Sequence, residues 1–326
     1  MPMKKSALSP IKAVFPLSDT ELVVLLSKPL DPDAISHRSF SSAAGLRIRS
    51  ADLDENQPTR LVLTTSSMRS DDIVTDKIDV KKLVFAGAKG PVNVSSPPFV
   101  LGVKNPTQLK VPHIESAFPY SSKLVGVHVS VSCCTGCNGG VHDRNLVVLN
   151  HHVGGPWTGI WVQTGKTIGT PYPRWQKVLC AGGVVAEQNG ATTVVDRGWM
   201  EIQKKFEEPH HAPSALPIEC AELPNLRTKE IFLKGLDASW VQFDDIRVES
   251  AKQVAPTARV SKTTKLPRNA IIFTDRSGGR TTAYLYQPSG LKVQTGQRLR
   301  QLRGFVHAEK PGLYVLLSDK EDDIAF

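Results

Sequence analysis

The sequence predicts an all-β chain, a sandwich followed by two related small barrels, and three observations carry that expectation. Short runs rich in β-branched residues, bounded by Gly, Pro, Asn and Asp, recur along all 326 residues. No long segment repeats apolar residues at i, i+3, i+4 and i+7, so extended helices are not expected. Two apolar hairpin sequences, with Gly183 and Gly304 in corresponding places 121 residues apart, read as copies of one another. A chain of this length exceeds one compact core, and three modules are expected: 1–107, 108–233 and 234–326.

The first module is read from five runs at sandwich spacing: Ile11 to Phe15, Glu21 to Leu26, Leu46 to Ser50, Arg60 to Thr65 and Asp79 to Phe85. Composition marks its end. Pro97-Pro98, Asn105-Pro106 and Val111-Pro112 hold the backbone extended or in turns, and a linker or terminal strand is expected there. The stretch Ser18-Asp-Thr-Glu-Leu-Val-Val-Leu-Leu-Ser-Lys-Pro-Leu-Asp-Pro, with Gly45-Leu-Arg-Ile-Arg-Ser-Ala and Thr59-Arg-Leu-Val-Leu-Thr-Thr, resembles the bacterial Ig-like domains of S-layer and other surface proteins. The resemblance spans about residues 8 to 105. It implies an Ig-like β-sandwich serving as a spacer or adhesive module, and an exported protein.

The repeat organises the rest. Val178-Leu-Cys-Ala-Gly-Gly-Val-Val-Ala-Glu leads through Asn189-Gly190 into Ala191 to Val195, as Leu299-Arg-Gln-Leu-Arg-Gly-Phe-Val-His-Ala leads through Pro311-Gly312 into Leu313 to Leu317. Upstream lie Ile160 to Gly165 and Tyr284 to Gly290, and before those the opening runs Leu124 to Val131 and Trp240 to Val248. This order, with a glycine where a strand must coil tightly, is that of small OB-type barrels, and two OB-like β-barrels are expected. Gly183-Val-Val-Ala-Glu, Asn189-Gly-Ala-Thr-Thr, Ala215-Leu-Pro and Gly235 before Val241 resemble the OB-fold modules that accompany the catalytic domain of secreted bacterial nucleases. No segment matches that catalytic domain, so the resemblance implies no nuclease activity.

Charge is concentrated at one end. The net charge is +9, and residues 251–326 hold thirteen Lys or Arg against six Asp or Glu, a footprint suited to a polyanion. On the barrel strands, Trp161, Tyr284 and Tyr286 are candidates to stack bases, with Arg276, Arg280, Arg298, Arg300 and Arg303 tracking phosphates. The competing reading places alternate aromatics in the core, with Leu299 and Leu302 inward and the arginines in solvent.

Cys133, Cys134 and Cys137 form a Cys-Cys-X-X-Cys cluster after a β-run, in a glycine-rich loop from Thr135 to His142, while Cys180 and Cys220 stand apart. Disulfides joining Cys180 or Cys220 to the cluster are one reading. A zinc site from Cys134, Cys137 and His142 with Cys180 or Cys220 is a second, although no second Cys-X-X-Cys exists, and free thiols are the third. A c-type haem is excluded by Asn138 following Cys137. Gly165-Lys166-Thr167 lacks the phosphate-loop spacing, and the pairs His151-His152 and His210-His211 read as loop residues.

No run of apolar residues is long enough for a membrane helix, and Met1-Pro-Met-Lys-Lys-Ser lacks the core of a signal peptide. The expectation is a non-catalytic, exported structural or assembly component of the cell envelope. It needs no cofactor, docks protein or glycan of the envelope, and is compatible with a homo-oligomer. The alternative is a single-stranded nucleic-acid or other polyanion module acting through the basic last barrel.

Overall fold

In a computed structural model the described residues are 9–110, 122–138, 146–151, 153–164, 174–175, 177–195, 202–204, 212–223, 235–254, 268–285, 292–310, 313–318 and 321–326. The chain is all-β, as the sequence predicts, and divides into two compact units. The first comprises Met1–Lys104, Gly126–Val131 and Gly182–Val184; the second comprises Asn105–Val125, Ser132–Ala181 and Val185–Phe326.

The first unit contains β1 (Ile11–Pro16), β2 (Glu21–Leu26), β3 (Phe40–Ser42), β4 (Ile48–Asp54), β5 (Gln57–Thr65), β6 (Thr75–Asp76), β7 (Ile78–Leu83), β8 (Val92–Ser95) and β9 (Phe99–Val100). An antiparallel sheet of order β1-β2-β5-β4 and a smaller sheet β3-β7-β8 share one core. Ile11, Leu22, Val24, Leu61 and Leu63 from one meet Phe40, Ile78, Val80 and Leu83 from the other. Strands β1 and β2 are almost continuously apolar because both their faces are covered, which removes the alternation a half-exposed strand would show. Asp76, buried, accepts the Ser42 hydroxyl and the Ala44 N–H and ties the turn after β3 to β6.

His128 opens β10 (His128–Asn138) and pairs with Phe99. Its Nδ1 accepts the Val14 N–H at 3.2 Å, and burial pushes its pKa down to about 4. The imidazole is therefore neutral in the fold while the unfolded chain takes up a proton below about 6.5. Stability from this group is complete above that value and is lost as pH falls from about 6.5 to about 4, a change of up to about 3 kcal/mol. Urea unfolding at several pH values checks this: His128→Gln should flatten the slope in that window, and an unchanged slope would contradict it.

The second unit begins differently from the linker expected at Asn105-Pro106. Asn105 caps a single helical turn, α1 (Pro106–Leu109): its Oδ1 accepts the Gln108 N–H while Gln108 Oε1 accepts the Asn105 N–H, both at 3.0 Å. Proline at the first helical position has no N–H to leave unpaired, so the residue that reads as a strand breaker here starts a turn.

Then come β11 (Leu146–Asn150), β12 (Gly159–Gln163), β13 (Lys177–Gln188), β14 (Ala191–Val195), β15 (Ile202–Lys204), β16 (Leu216–Pro217), β17 (Trp240–Val254), β18 (Arg268–Thr274), β19 (Arg280–Leu285), β20 (Arg298–Lys310), β21 (Leu313–Ser318) and β22 (Ile324–Ala325). Strands β17 to β21 close a five-stranded barrel in the order β17-β18-β19-β21-β20, with β20 pairing back onto β17. The third and fifth of these, β19 and β21, run parallel. The same order recurs in β10-β11-β12-β14-β13, with β12 and β14 parallel and β13 also paired to β10. The hairpin between β13 and β14 turns at Asn189 and Gly190, both at positive φ (55° and 89°), the geometry of a type I′ turn.

In the last barrel Val241, Phe243, Ile246, Val248, Ile271 and Phe273 pack against Leu299, Leu302, Val306 and Leu316. Gly304 lies opposite Val241, and a Cβ there would sit 2.7 Å from Leu317 O, so a close strand approach requires the glycine. Leu299 and Leu302 are both buried although three apart, which a period of two forbids. The strand is distorted where Asp245 on β17 takes φ 47°. The flanking pairs Ile246–Leu299 and Phe243–Leu302 both point inward, and Arg300 and Asp244 both stay exposed.

Candidate functional site

Two features of the second unit stand out: a buried joint between its barrels and a charged end of the last one. The joint centres on the turn 235–239 that leads into β17. Asp237 is fully buried, and its Oδ1 accepts the indole N–H of Trp161 on β12 at 3.1 Å and the Ala308 N–H of β20 at 3.2 Å. Lys110, also fully buried, donates to the Asp237 carbonyl. Asn150 donates to the Ala238 carbonyl at 3.0 Å, beside Gly159. Val148 and Trp161 from one barrel and Trp240, Phe305, Val315 and Leu317 from the other form a shared apolar cluster, in which Trp161 meets the His307 ring edge-on at 4.9 Å. On its flank Arg174 lies 4.8 Å over the Trp240 ring and grips Asp323 with two hydrogen bonds of 2.8 and 2.6 Å, both side chains being buried.

Of the aromatics proposed to stack bases, Trp161 is 1% exposed and belongs to this joint, and Tyr284 is half-buried against the same cluster. Tyr286 lies outside the described residues. The joint itself left no signal in the sequence, because a turn such as Leu236-Asp-Ala-Ser looks like any loop until its partner surface is known.

The arginines separate into three groups. Arg280 pairs with Glu249 at 2.7 Å, and Arg303 donates to Gln242 Oε1 at 3.0 Å. Arg276 pairs with Asp245 in solvent. Arg298 and Arg300 are exposed, and with Arg247, Arg276, Leu299 and Phe326 they line a groove of about 660 Å³. Arg247 was not among the sequence candidates, yet its place between the inward residues Ile246 and Val248 marks it as outward-facing. It sits directly opposite Arg298 across the β17–β20 ladder, a like-charge pairing that disfavours the bare barrel.

A second hollow, of about 460 Å³, adjoins the first and shares Asp245, Asp275 and Arg276 with it. It is acidic, lined also by Glu219, Glu222 and Asp244. Asp244 is held by the side-chain amides of Gln242 at 2.9 Å and Gln301 at 3.2 Å, and Asp275 accepts the Cys220 N–H at 2.6 Å and the Ser277 N–H at 2.9 Å.

The cysteine cluster lies on a strand rather than in a loop: β10 continues to Asn138, with Cys134 opposite Asn150 on β11. Its register with β11 shifts between Thr135 and Asn138, so the glycine at 136 is absorbed within the strand. Cys133 is buried. Cys220 is a buried free thiol, so of the three readings the disulfide is not formed at this position, and burial together with Asp275 pushes its pKa well up. His142 and the side chains of Cys134, Cys137 and Cys180 lie outside the described residues, as do Gly165–Thr167, His152, His210 and His211. Peptide mapping after iodoacetamide at about pH 8 should find Cys220 unmodified in the folded chain and modified in urea. Rapid native labelling would contradict its burial.

No protein-family model matches the chain, and comparison with curated proteins finds no match. Among solved structures, domains 1–6 of the surface layer protein SbsC match at 12% identity and TM-score 0.29, covering 85% of this chain and 34% of that one. The S-layer protein rSbsC(31-844) matches at 9% identity and TM-score 0.26, over 92% of this chain and 57% of that one. The chain thus spans between about a third and somewhat over half of these structures' lengths. At these scores the likeness assigns neither a fold family nor a function. No helix among the described residues is long and apolar enough to cross a membrane.

Proposed function

We propose that the protein is a non-catalytic structural or assembly component of the cell envelope, in which an Ig-like sandwich carries two OB-type barrels that dock protein or glycan as one body. The observation that carries this reading is the joint. Trp161, Asp237, Lys110, Trp240 and the Arg174–Asp323 pair are consumed in holding one barrel to the other. Polar groups buried so completely are costly unless satisfied, which favours a fixed double barrel over independently moving binding modules. The surface-protein resemblance of residues 8 to 105 supplies the envelope setting, and the strand order of β17 to β21 supports the OB-type reading. Co-sedimentation of the purified chain with washed envelope particles at about 0.15 M salt tests it. Saturable binding is expected, and a chain that stays in the supernatant at every particle concentration would overturn it.

A second reading, polyanion binding, is favoured by Arg247, Arg298 and Arg300, which are exposed on one groove without a salt bridge among the described residues. Fluorescence anisotropy with a single-stranded oligonucleotide at two salt concentrations tests it. Binding that weakens with salt and in Arg298→Ala/Arg300→Ala/Arg303→Ala supports it, because phosphate contacts release counterions. No binding at low salt removes it.

A further inference from the structure

We infer that the charged end of the last barrel is a self-complementary face that docks a second copy of this chain. The inference rests on the assembly reading and names its partner. The face has two halves, joined because both hollows include Asp245, Asp275 and Arg276. One half presents Arg247, Arg298 and Arg300, and the other presents Glu219, Glu222 and Asp244. The Arg276–Asp245 pair stands at the divide and is solvent-exposed on both sides, with side-chain exposures of 84% and 53%.

The layout discriminates between partners. A polyanion laid along the arginine half meets the carboxylates beside it, and like charges in an interface are strongly unfavourable. A copy related by a two-fold axis instead sets each arginine half on the other copy's acidic half, so every favourable contact is made twice. The like-charge pair Arg247–Arg298, unfavourable in the isolated barrel, then gains carboxylates from the partner. The acidic half is held in place for this: Gln242 and Gln301 fix the Asp244 carboxylate, and the Cys220 and Ser277 N–H groups fix Asp275. Phe326, 63% exposed on the rim of the arginine groove, offers an apolar contact among the charges.

Sedimentation equilibrium on the full chain tests this, with Arg298→Glu/Arg300→Glu, with Glu219→Arg/Glu222→Arg, and with an equimolar mixture of the two variants. Thermal melts confirm that each variant folds. The wild type should dimerise, and its dissociation constant should rise about 10-fold or more between about 0.05 M and 0.5 M salt. Each variant alone should be monomeric, and the mixture should recover the dimer, because one variant then carries only acidic halves and the other only basic ones. Variants that dimerise like the wild type, or a mixture that stays monomeric, would overturn the face while leaving envelope co-sedimentation untouched. A monomeric wild type at low salt overturns it equally. An oligonucleotide that binds the wild type, is lost with Arg298→Glu/Arg300→Glu and tightens with Glu219→Arg/Glu222→Arg assigns the arginines to a polyanion and also overturns it.

Discussion

Replacing Gly159 by alanine should lower the stability of the double barrel by about 3 kcal/mol or more, at the upper end of what overpacking costs. A Cβ at this position would fall 1.9 Å from the Ala238 carbonyl oxygen, 2.6 Å from its carbon and 2.8 Å from Asn150 Nδ2. Two of these atoms are backbone of the buried turn, so no side-chain rotation relieves the clash, and β12 must move away from 235–239. The Asn150–Ala238 and Trp161–Asp237 hydrogen bonds should be lost with that movement. Urea unfolding followed by tryptophan fluorescence measures the effect, and a loss below about 1 kcal/mol would mean that the barrels are not in contact here.

Removing Asp323 should be nearly as damaging. Its carboxylate accepts both terminal nitrogens of Arg174 and the Ser318 hydroxyl at 3.1 Å, in a setting where both charged side chains are almost fully buried. Asp323→Ala leaves a guanidinium in the interior without that partner, a change that costs about 3–5 kcal/mol in buried pairs. The double variant Arg174→Met/Asp323→Leu should recover much of the loss, since Met can keep covering the Trp240 ring without a charge to satisfy. The same urea titration measures both; equal losses in the single and double variants would show that the charge pair is not what the site requires.

Both substitutions act on residues whose role was hidden in the sequence, and the reason is physical. Strand content was legible because β2, β5 and β7 carry β-branched runs between turn residues, and because the glycines at 183 and 304 mark matching strands. The inward placement of Leu299 and Leu302 was legible from apolarity, although the distortion at Asp245 that reconciles their spacing was not. Pairing across distant segments was illegible. Trp161 on an alternating strand looks the same whether it faces a ligand or a neighbouring barrel, and only the approach of Asp237, 76 positions away, settles it. Asn105-Pro106 misled in the opposite sense, because a breaker within a strand is a good first turn of a helix. The arginines were visible as a count, but their sorting into paired and open groups depends on Asp245 and Glu249 of β17 and on Glu219 and Glu222 after β16, which sequence order does not bring together with them.

If the two barrels move as one body locked at the turn 235–239, as proposed, amide hydrogen exchange across that turn will show it. The Ala238 and Ser239 N–H groups donate to Val306 and Leu236 carbonyls at 2.8 Å inside the joint. They should exchange as slowly as the most protected amides of β17 and β20, opening only when the double barrel unfolds as a whole, and Asp237→Ala should accelerate them selectively. Fast exchange at 238–239 in the wild type, with β17 and β20 still protected, would mean that the barrels open at this turn on their own.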